Sequence, residues 1–317
     1  MRELRISMLG AFTIADAPDG PAPLLRRAQD LLALVLLSPQ RTVLREHAAD
    51  ELWPDTGADA SKKAMRQALW QIHHATDAEG PDSPRLVLTE GEALRVNPRR
   101  RLWVDVDVLV GAARVAQTGV EPDEATLARL TRAADLYRGP LLEGCYEEWC
   151  LAPRARLEDR CLTLLDTLSR AHEHRGDLAA AIGWAQRLLD VEPAHERTHR
   201  RLMRLHYRSG DRTRALRQLH QCRWVLQHEL GVRPSAQTEA LGAAIADDAA
   251  GLVEERALAV DPTGDAWQPV APATDALPAG DSPEASRTLR ALGAELTALR
   301  QSVEAMRRHL EVEATTR

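Results

Sequence analysis

The chain has 317 residues, 44% of them apolar and 28% charged, which fits about two globular domains. Its longest apolar run, Leu31 to Leu37, is too short to span a membrane, and no apolar stretch with a small-residue cleavage site marks a secretion leader. Net charge is −6, but residues 1–104 hold 14 basic and 14 acidic side chains, so the acidic excess lies beyond them; a neutral first domain can still offer nucleic acid a local basic face.

In chain order, Leu4, Ile6 and Met8 alternate, as do Phe12 and Ile14, with Gly10 between the runs. Both read as short strands. Residues 16–23 are a turn-rich loop. The segment 26-RRAQDLLALVLLS-38 has a helical apolar face ended by Pro39. The segment 43-VLREHAADELW-53 reads as a second helix, stopped by Pro54. A third helix follows over 60-ASKKAMRQALWQIHHAT-76, with Met65, Leu69, Ile72 and Thr76 at helical spacing. Residues 85-RLVLTEGEALRVN-97 read as two strands around a Glu-Gly-Glu turn. Strands, three helices and a hairpin make a winged helix-turn-helix.

Lys62 and Lys63 are the only lysines of the chain. They stand at the expected entry of the third helix, where cations and helix N–H groups both attract phosphate. At about 100° per residue the buried side centres on Met65, Leu69 and Ile72. The opposite side carries Lys63, Gln67, Trp70 and His74, flanked by Arg66 and His73. Basic and amide side chains on that face are what major-groove reading needs. Lys62, Lys63 and Arg66 would meet phosphates or base edges, and Gln67 and Gln71 could read adenine. Trp70 either packs on sugars and thymine methyls or, the stronger expectation, packs on the wing or a neighbouring domain.

Beyond residue 104, helices are expected over 105–118, 123–137, 147–175, 178–190, 194–208, 212–229 and 235–248. Gly176-Asp177 and Gly210-Asp211 lie 34 residues apart, and the same shift pairs His172 with His206 and Ala181 with Ala215. That period marks tetratricopeptide repeats, in which helix pairs bury their apolar faces against neighbours. Residues 256–283, rich in Pro, Ala, Asp and Gly, read as a flexible linker. Leu289, Leu292, Leu296, Leu299, Val303, Met306 and Leu310 then form an a/d seam, expected to mediate self-association or pairing with a partner helix, or else to dock on the chain's own body.

The motif 195-HERTH-199 matches the zinc-protease pattern HExxH, but it opens a repeat helix just past Pro193 and reads as structural. A phosphate-binding loop is absent, since no second glycine follows Gly57, and GxSxG is absent. Four cysteines without CxxC spacing suit reduced thiols in a cytoplasm. No catalytic residue, cofactor or metal is expected.

The stretches 4-LRISMLGAFTI-14, 26-RRAQDLLALVLL-37, 41-RTVLREHAADELWPD-55, 65-MRQALWQI-72 and 86-LVLTEGEALRVNP-98 resemble the OmpR-type winged helix of the Streptomyces antibiotic regulatory protein family. The stretches 136-LYRGPLLEGCYEEWCLAPRARLEDR-160 and 228-HELGVRPSAQTEAL-241 resemble the bacterial transcriptional activation domain that follows it in that family. The departures are Gln71, His73 and His74 where relatives commonly carry arginines, and Glu90 and Glu92 at the wing tip.

The expected fold is mainly α: a winged helix (1–104, α+β), an all-α tetratricopeptide-like domain (105–250), a linker (251–283) and a C-terminal coiled-coil helix (284–313). By resemblance the chain is a DNA-binding activator. It would contact direct repeats in double-stranded promoter DNA and engage RNA polymerase through its sigma factor, for secondary-metabolite genes. The candidate DNA-contacting residues are Lys62, Lys63, Arg66, Gln67, Trp70, Gln71, His73 and His74. The alternative is an interaction protein of repeats and coiled coil whose winged helix has lost DNA affinity.

Overall fold

Leu4 and Ile6 point inward from β1 (Leu4–Ser7), as their alternation requires. The computed structural model describes residues 3–15, 24–76 and 84–249. β1 pairs antiparallel with β2 (Thr13–Ala15) and parallel with β6 (Leu102–Val104), giving the order β2-β1-β6. Ile6 therefore stands beside Ile14 and Val104, all three buried. On the other face Arg5 stacks over Trp103, 4.3 Å from the ring centroid.

α1 (Arg26–Leu37) buries Leu31, Leu32 and Val35. It stops where the Ser38 hydroxyl donates to the Leu34 carbonyl (2.7 Å) and Pro39 removes the next donor. A 3-10 turn (Pro39–Arg41) leads to β3 (Thr42–Leu44), then α2 (Arg45–Leu52) and α3 (Ala58–Thr76). The wing is β4 (Val87–Glu90) and β5 (Ala93–Val96), joined through Gly91 and Glu92. Gly91 takes φ +59°, the backbone such a tight hairpin needs. β3 pairs with β5, so the wing is three-stranded in the order β3-β5-β4.

Three expectations need correction. Val43 and Leu44 do not belong to a helix; they are β3, and their amides and carbonyls serve the wing. β6 went unread, because three residues cannot show an alternating pattern. α3 begins at Ala58, so Lys62 and Lys63 lie in its second turn instead of opening it. Asp59 holds the first turn, where a carboxylate suits the helix dipole.

The helical part comprises α4 (Asp105–Ala116), α5 (Glu124–Ala134), α6 (Glu148–His174), α7 (Leu178–Val191), α8 (Glu196–Arg208), α9 (Arg212–Val225) and α10 (Ala236–Ala246). α9 runs into a π-helical turn, Leu226–Leu230. The 34-residue repeat has a local cause. Gly176 (φ +75°) and Gly210 (φ +81°) end α6 and α8 in the left-handed conformation. The amides of Asp177 and Asp211 reach back to the carbonyls of His172 (3.0 Å) and His206 (2.9 Å). The same two aspartates then cap α7 and α9 by accepting from the amides of Ala180 and Arg214. Each such cap is worth about 1 kcal/mol.

One buried apolar cluster takes in residues on both sides of Val104. Asp105, the first residue of α4, is buried, and its carboxylate accepts from the amides of Met8 (2.8 Å) and Leu9 (2.9 Å). The expected loop at 16–23, linker at 251–283 and coiled coil at 284–313 lie outside the described residues. Among the described residues no helix is long and apolar enough to cross a membrane.

Candidate nucleic-acid interface

α3 is two-sided. Ser61, Met65, Ala68, Ile72 and Ala75 are buried, and Leu69 packs half-buried against the core. This matches the expected wheel, with its centre shifted by the small residues Ser61, Ala68 and Ala75. Lys62, Lys63, Arg66, Gln67, Trp70 and His74 are exposed. Among the described residues no carboxylate pairs with Lys62, Lys63 or Arg66. All three cations face solvent. Gln71 and His73 sit half-buried at the margins, and the Gln71 Oε1 is shielded from solvent. Those two are set apart from the exposed row.

Trp70 departs from the stronger expectation. Among the described residues its ring contact is with His74 of the same helix. It is 58% exposed and lies parallel to the His74 ring, centroids 5.2 Å apart and planes 5° apart. The i,i+4 spacing brings the two rings together on one helix face. A flat aromatic-imidazole surface thus stands beside the cations.

At the wing tip Glu90 and Glu92 are both exposed. Glu90 accepts a 2.6 Å hydrogen bond from Arg95 of β5, so one of the two charges is neutralised within the hairpin. Glu92 also fixes the wing to α2, through a 2.8 Å bond from the Arg45 amide to its carbonyl.

Residues that position this interface went unread as such. The segment 139–143 clips onto the β1–β2 loop: the Gly10 amide donates to Pro140 (3.1 Å), Leu142 donates to Met8 (2.8 Å) and Glu143 donates to Gly10 (2.9 Å). Arg154 of α6 clamps that segment, donating to the carbonyls of Leu141 (2.9 Å) and Cys145 (2.6 Å). Arg27 of α1 bridges to Glu147 at 3.2 Å, and Arg41 pairs with Asp107 of α4. The only signal in the sequence was the family-like stretch 136–160, whose role there was not legible.

The HERTH histidines serve the repeat. His199 is fully buried between Pro193, whose carbonyl lies 2.9 Å from Nε2, and Gln218, whose Nε2 lies 2.7 Å from Nδ1. Donation by Gln218 and acceptance by Pro193 fix a neutral imidazole protonated at Nε2. Glu196 accepts from the amide (2.8 Å) and hydroxyl (2.6 Å) of Ser235. Burial pushes the His195 and His199 pKa values down.

Fold and exposed row together define a winged-helix protein built onto a tetratricopeptide-like helical domain. Residues 104–246 match the family model described as bacterial transcriptional activator domain. The chain is 28% identical over 206 residues to the regulatory protein AfsR of Streptomyces coelicolor, covering 64% of this chain and 20% of that protein. It is 29% identical over 243 residues to the transcriptional regulator RedD of the same organism, covering 74% and 67%. With the regulatory protein DnrI of Streptomyces peucetius it shares 26% over 252 residues, covering 76% and 92%. The chain thus spans about a fifth of AfsR but most of DnrI. The solved structure of Mycobacterium tuberculosis EmbR, in complex with a low affinity phosphopeptide, has the same fold: TM-score 0.61 at 19% identity, over 82% of this chain and 70% of that one. The chain is thus similar to regulatory proteins of Streptomyces over about two thirds to three quarters of its length, and its residues 104–246 match the bacterial transcriptional activator domain.

Proposed function

We propose that the chain is a cytoplasmic, sequence-specific DNA-binding activator that reads direct repeats in promoter DNA with α3 and helps RNA polymerase engage through its sigma factor. The regulated genes are those of a secondary-metabolite cluster. The observation that carries this reading is the exposed row of the cations Lys62, Lys63 and Arg66 with Gln67, on the face of α3 opposite its buried side and beside a wing. In it, Lys62, Lys63 and Arg66 bind phosphates or base edges, and Gln67 offers its amide to adenine. Trp70 and His74 supply a planar surface for sugar or thymine methyl groups. Gln71 and His73 act from the margins. The helical domain is the protein-contact surface, and the a/d seam at 289–310 brings chains together.

Fluorescence polarisation with the DNA upstream of the chain's own gene tests this. Binding that weakens steeply between 50 and 200 mM salt is expected, as on the order of 10³-fold for several phosphate contacts. No binding at 50 mM salt would favour the second reading, an interaction protein with a degenerate winged helix. The exposed Glu92 is the observation on that side.

A further inference from the structure

α9 and α3 carry matching residue types at the same spacing. On α3 they are Lys63, Gln67, Trp70 and His74. On α9 and the π-helical turn that continues it they are Arg217, Gln221, Trp224 and His228. Steps of four, three and four residues confine each set to about 60° of the helix circumference. The buried residues of α9, Ala215, Gln218, Leu219, Cys222 and Val225, lie on its other side. All four residues of the second set are exposed, Trp224 by 60%. Its indole stacks on the His228 ring, centroids 4.4 Å and planes 23° apart, as Trp70 stacks on His74. The His228 Nδ1 donates to the Trp224 carbonyl at 2.7 Å, which holds the imidazole beside the indole.

The charge of this stretch suits a polyanion. From Arg212 to Leu230 there are four arginines and one carboxylate, Glu229. Arg214 pairs with Asp211 at 3.3 Å, and Arg223 pairs with Glu239. Arg212 donates to the carbonyls of Ile245 and Ala246, which carry no net charge. Arg217, on the exposed face, has no ion pair among the described residues. A large ring left in water beside such a cation marks a contact surface.

We propose that the outer face of α9 is a second contact for double-stranded DNA, made to the backbone and not to base edges. Arg217 meets a phosphate, Gln221 donates to a neighbouring phosphate or sugar oxygen, and the Trp224–His228 stack lies flat on the sugars. Arg217 to His228 spans about 16 Å at 1.5 Å per residue, or about five base-pair steps. The choice of DNA as the partner rests on the reading of α3 as the DNA-binding helix, because the shared pattern is what connects the two faces.

The test is fluorescence polarisation of the full chain with a labelled random-sequence duplex, read against salt from about 50 mM upward. It is run with Lys62 and Lys63 intact and again with both replaced by alanine. Arg217→Ala should weaken binding several-fold in both backgrounds and lower the log–log salt slope by about 1. Trp224→Ala should weaken binding and leave the slope unchanged. Gln221→Glu, which places a negative charge on the face, should weaken binding more than Gln221→Ala. These positions are exposed, so melting temperatures should stay within about 2 °C of the parent. Affinity and slope equal to the parent in both Arg217→Ala and Gln221→Glu overturn the proposal, and a loss confined to the lysine variant then leaves the α3 reading standing alone. A loss from Arg217→Ala with none from the lysines keeps the α9 face and removes α3. Light scattering covers the other occupant: if Trp224→Ala dissociates oligomers while DNA binding is unchanged, the face belongs to a second copy of the chain and the proposal is overturned.

Discussion

Gly10 donates its amide to the carbonyl of Pro140, 3.1 Å away, and so joins the β1–β2 loop to the segment between α5 and α6. The pairing continues on both sides, with Leu9 bridged to Leu141. Gly139 approaches so closely that a Cβ there would lie 3.4 Å from the Gly10 Cα. The helices that follow Val104 are thereby held against the sheet that precedes α3 and the wing.

Asp105 holds the strand end beside that contact, through hydrogen bonds from Met8 and Leu9. Replacing it with alanine strands the buried amides of Met8 and Leu9. Asp105→Ala should lower unfolding stability by about 2–4 kcal/mol, because unpaired buried donors carry their full desolvation cost. Urea denaturation measures it, and a loss under 0.5 kcal/mol would mean water replaces the carboxylate. Gly10→Ala should also destabilise, because φ is +102°, where a Cβ is strained.

The lysines make the electrostatic prediction. Lys62→Ala with Lys63→Ala should weaken DNA binding on every sequence and flatten the log affinity against log salt slope by up to about 2. The stability of the folded chain should stay within about 0.5 kcal/mol, since both side chains are exposed. A full slope in the double variant would place phosphate contact elsewhere, Arg66 being the next candidate.

Trp70 separates folding from recognition. At 58% exposure it rests mainly on His74, so Trp70→Ala should leave the melting temperature within about 1–2 °C. DNA affinity should fall several-fold if the ring packs on sugars or thymine methyls. Equal affinity with equal stability would remove Trp70 from the interface. A large loss of stability would show that the indole supports the wing after all.

Long periodic elements were legible from residues alone. Each described α-helix from Asp105 to Ala246 was visible, because its apolar positions repeat over three or more turns, and the Gly-Asp pairs 34 residues apart named the joints. The face of α3 was legible for the same reason. What escaped was short or non-local. β3 and β6 have three residues each and gain their identity from partners about 50 and 100 positions away. The Arg154 clamp depends on carbonyls, which no side-chain pattern reports. Trp70 was misjudged because apolar rings usually find cover, whereas here the cover is a histidine one turn on.

The histidines of α8 and its N-cap His195 set an acid limit on the helical domain. His195, His199 and His206 are each held below the ordinary value of 6.5, burial being the first cause in every case. The unfolded chain therefore takes up protons at these sites before the folded chain does. Stability that is complete above about pH 6.5 must fall as pH drops through 6.5 towards the folded values, by up to about 1.4 kcal/mol per pH unit for each histidine that titrates. His199 matters most, since protonation of Nδ1 would set it against the Gln218 amide that now donates to it. Urea midpoints measured from pH 7.5 to 5.5 should fall, and His206→Leu should remove up to one proton from the slope. A flat profile over that range would mean the imidazoles take up protons equally in the folded and unfolded chain, and would overturn the prediction.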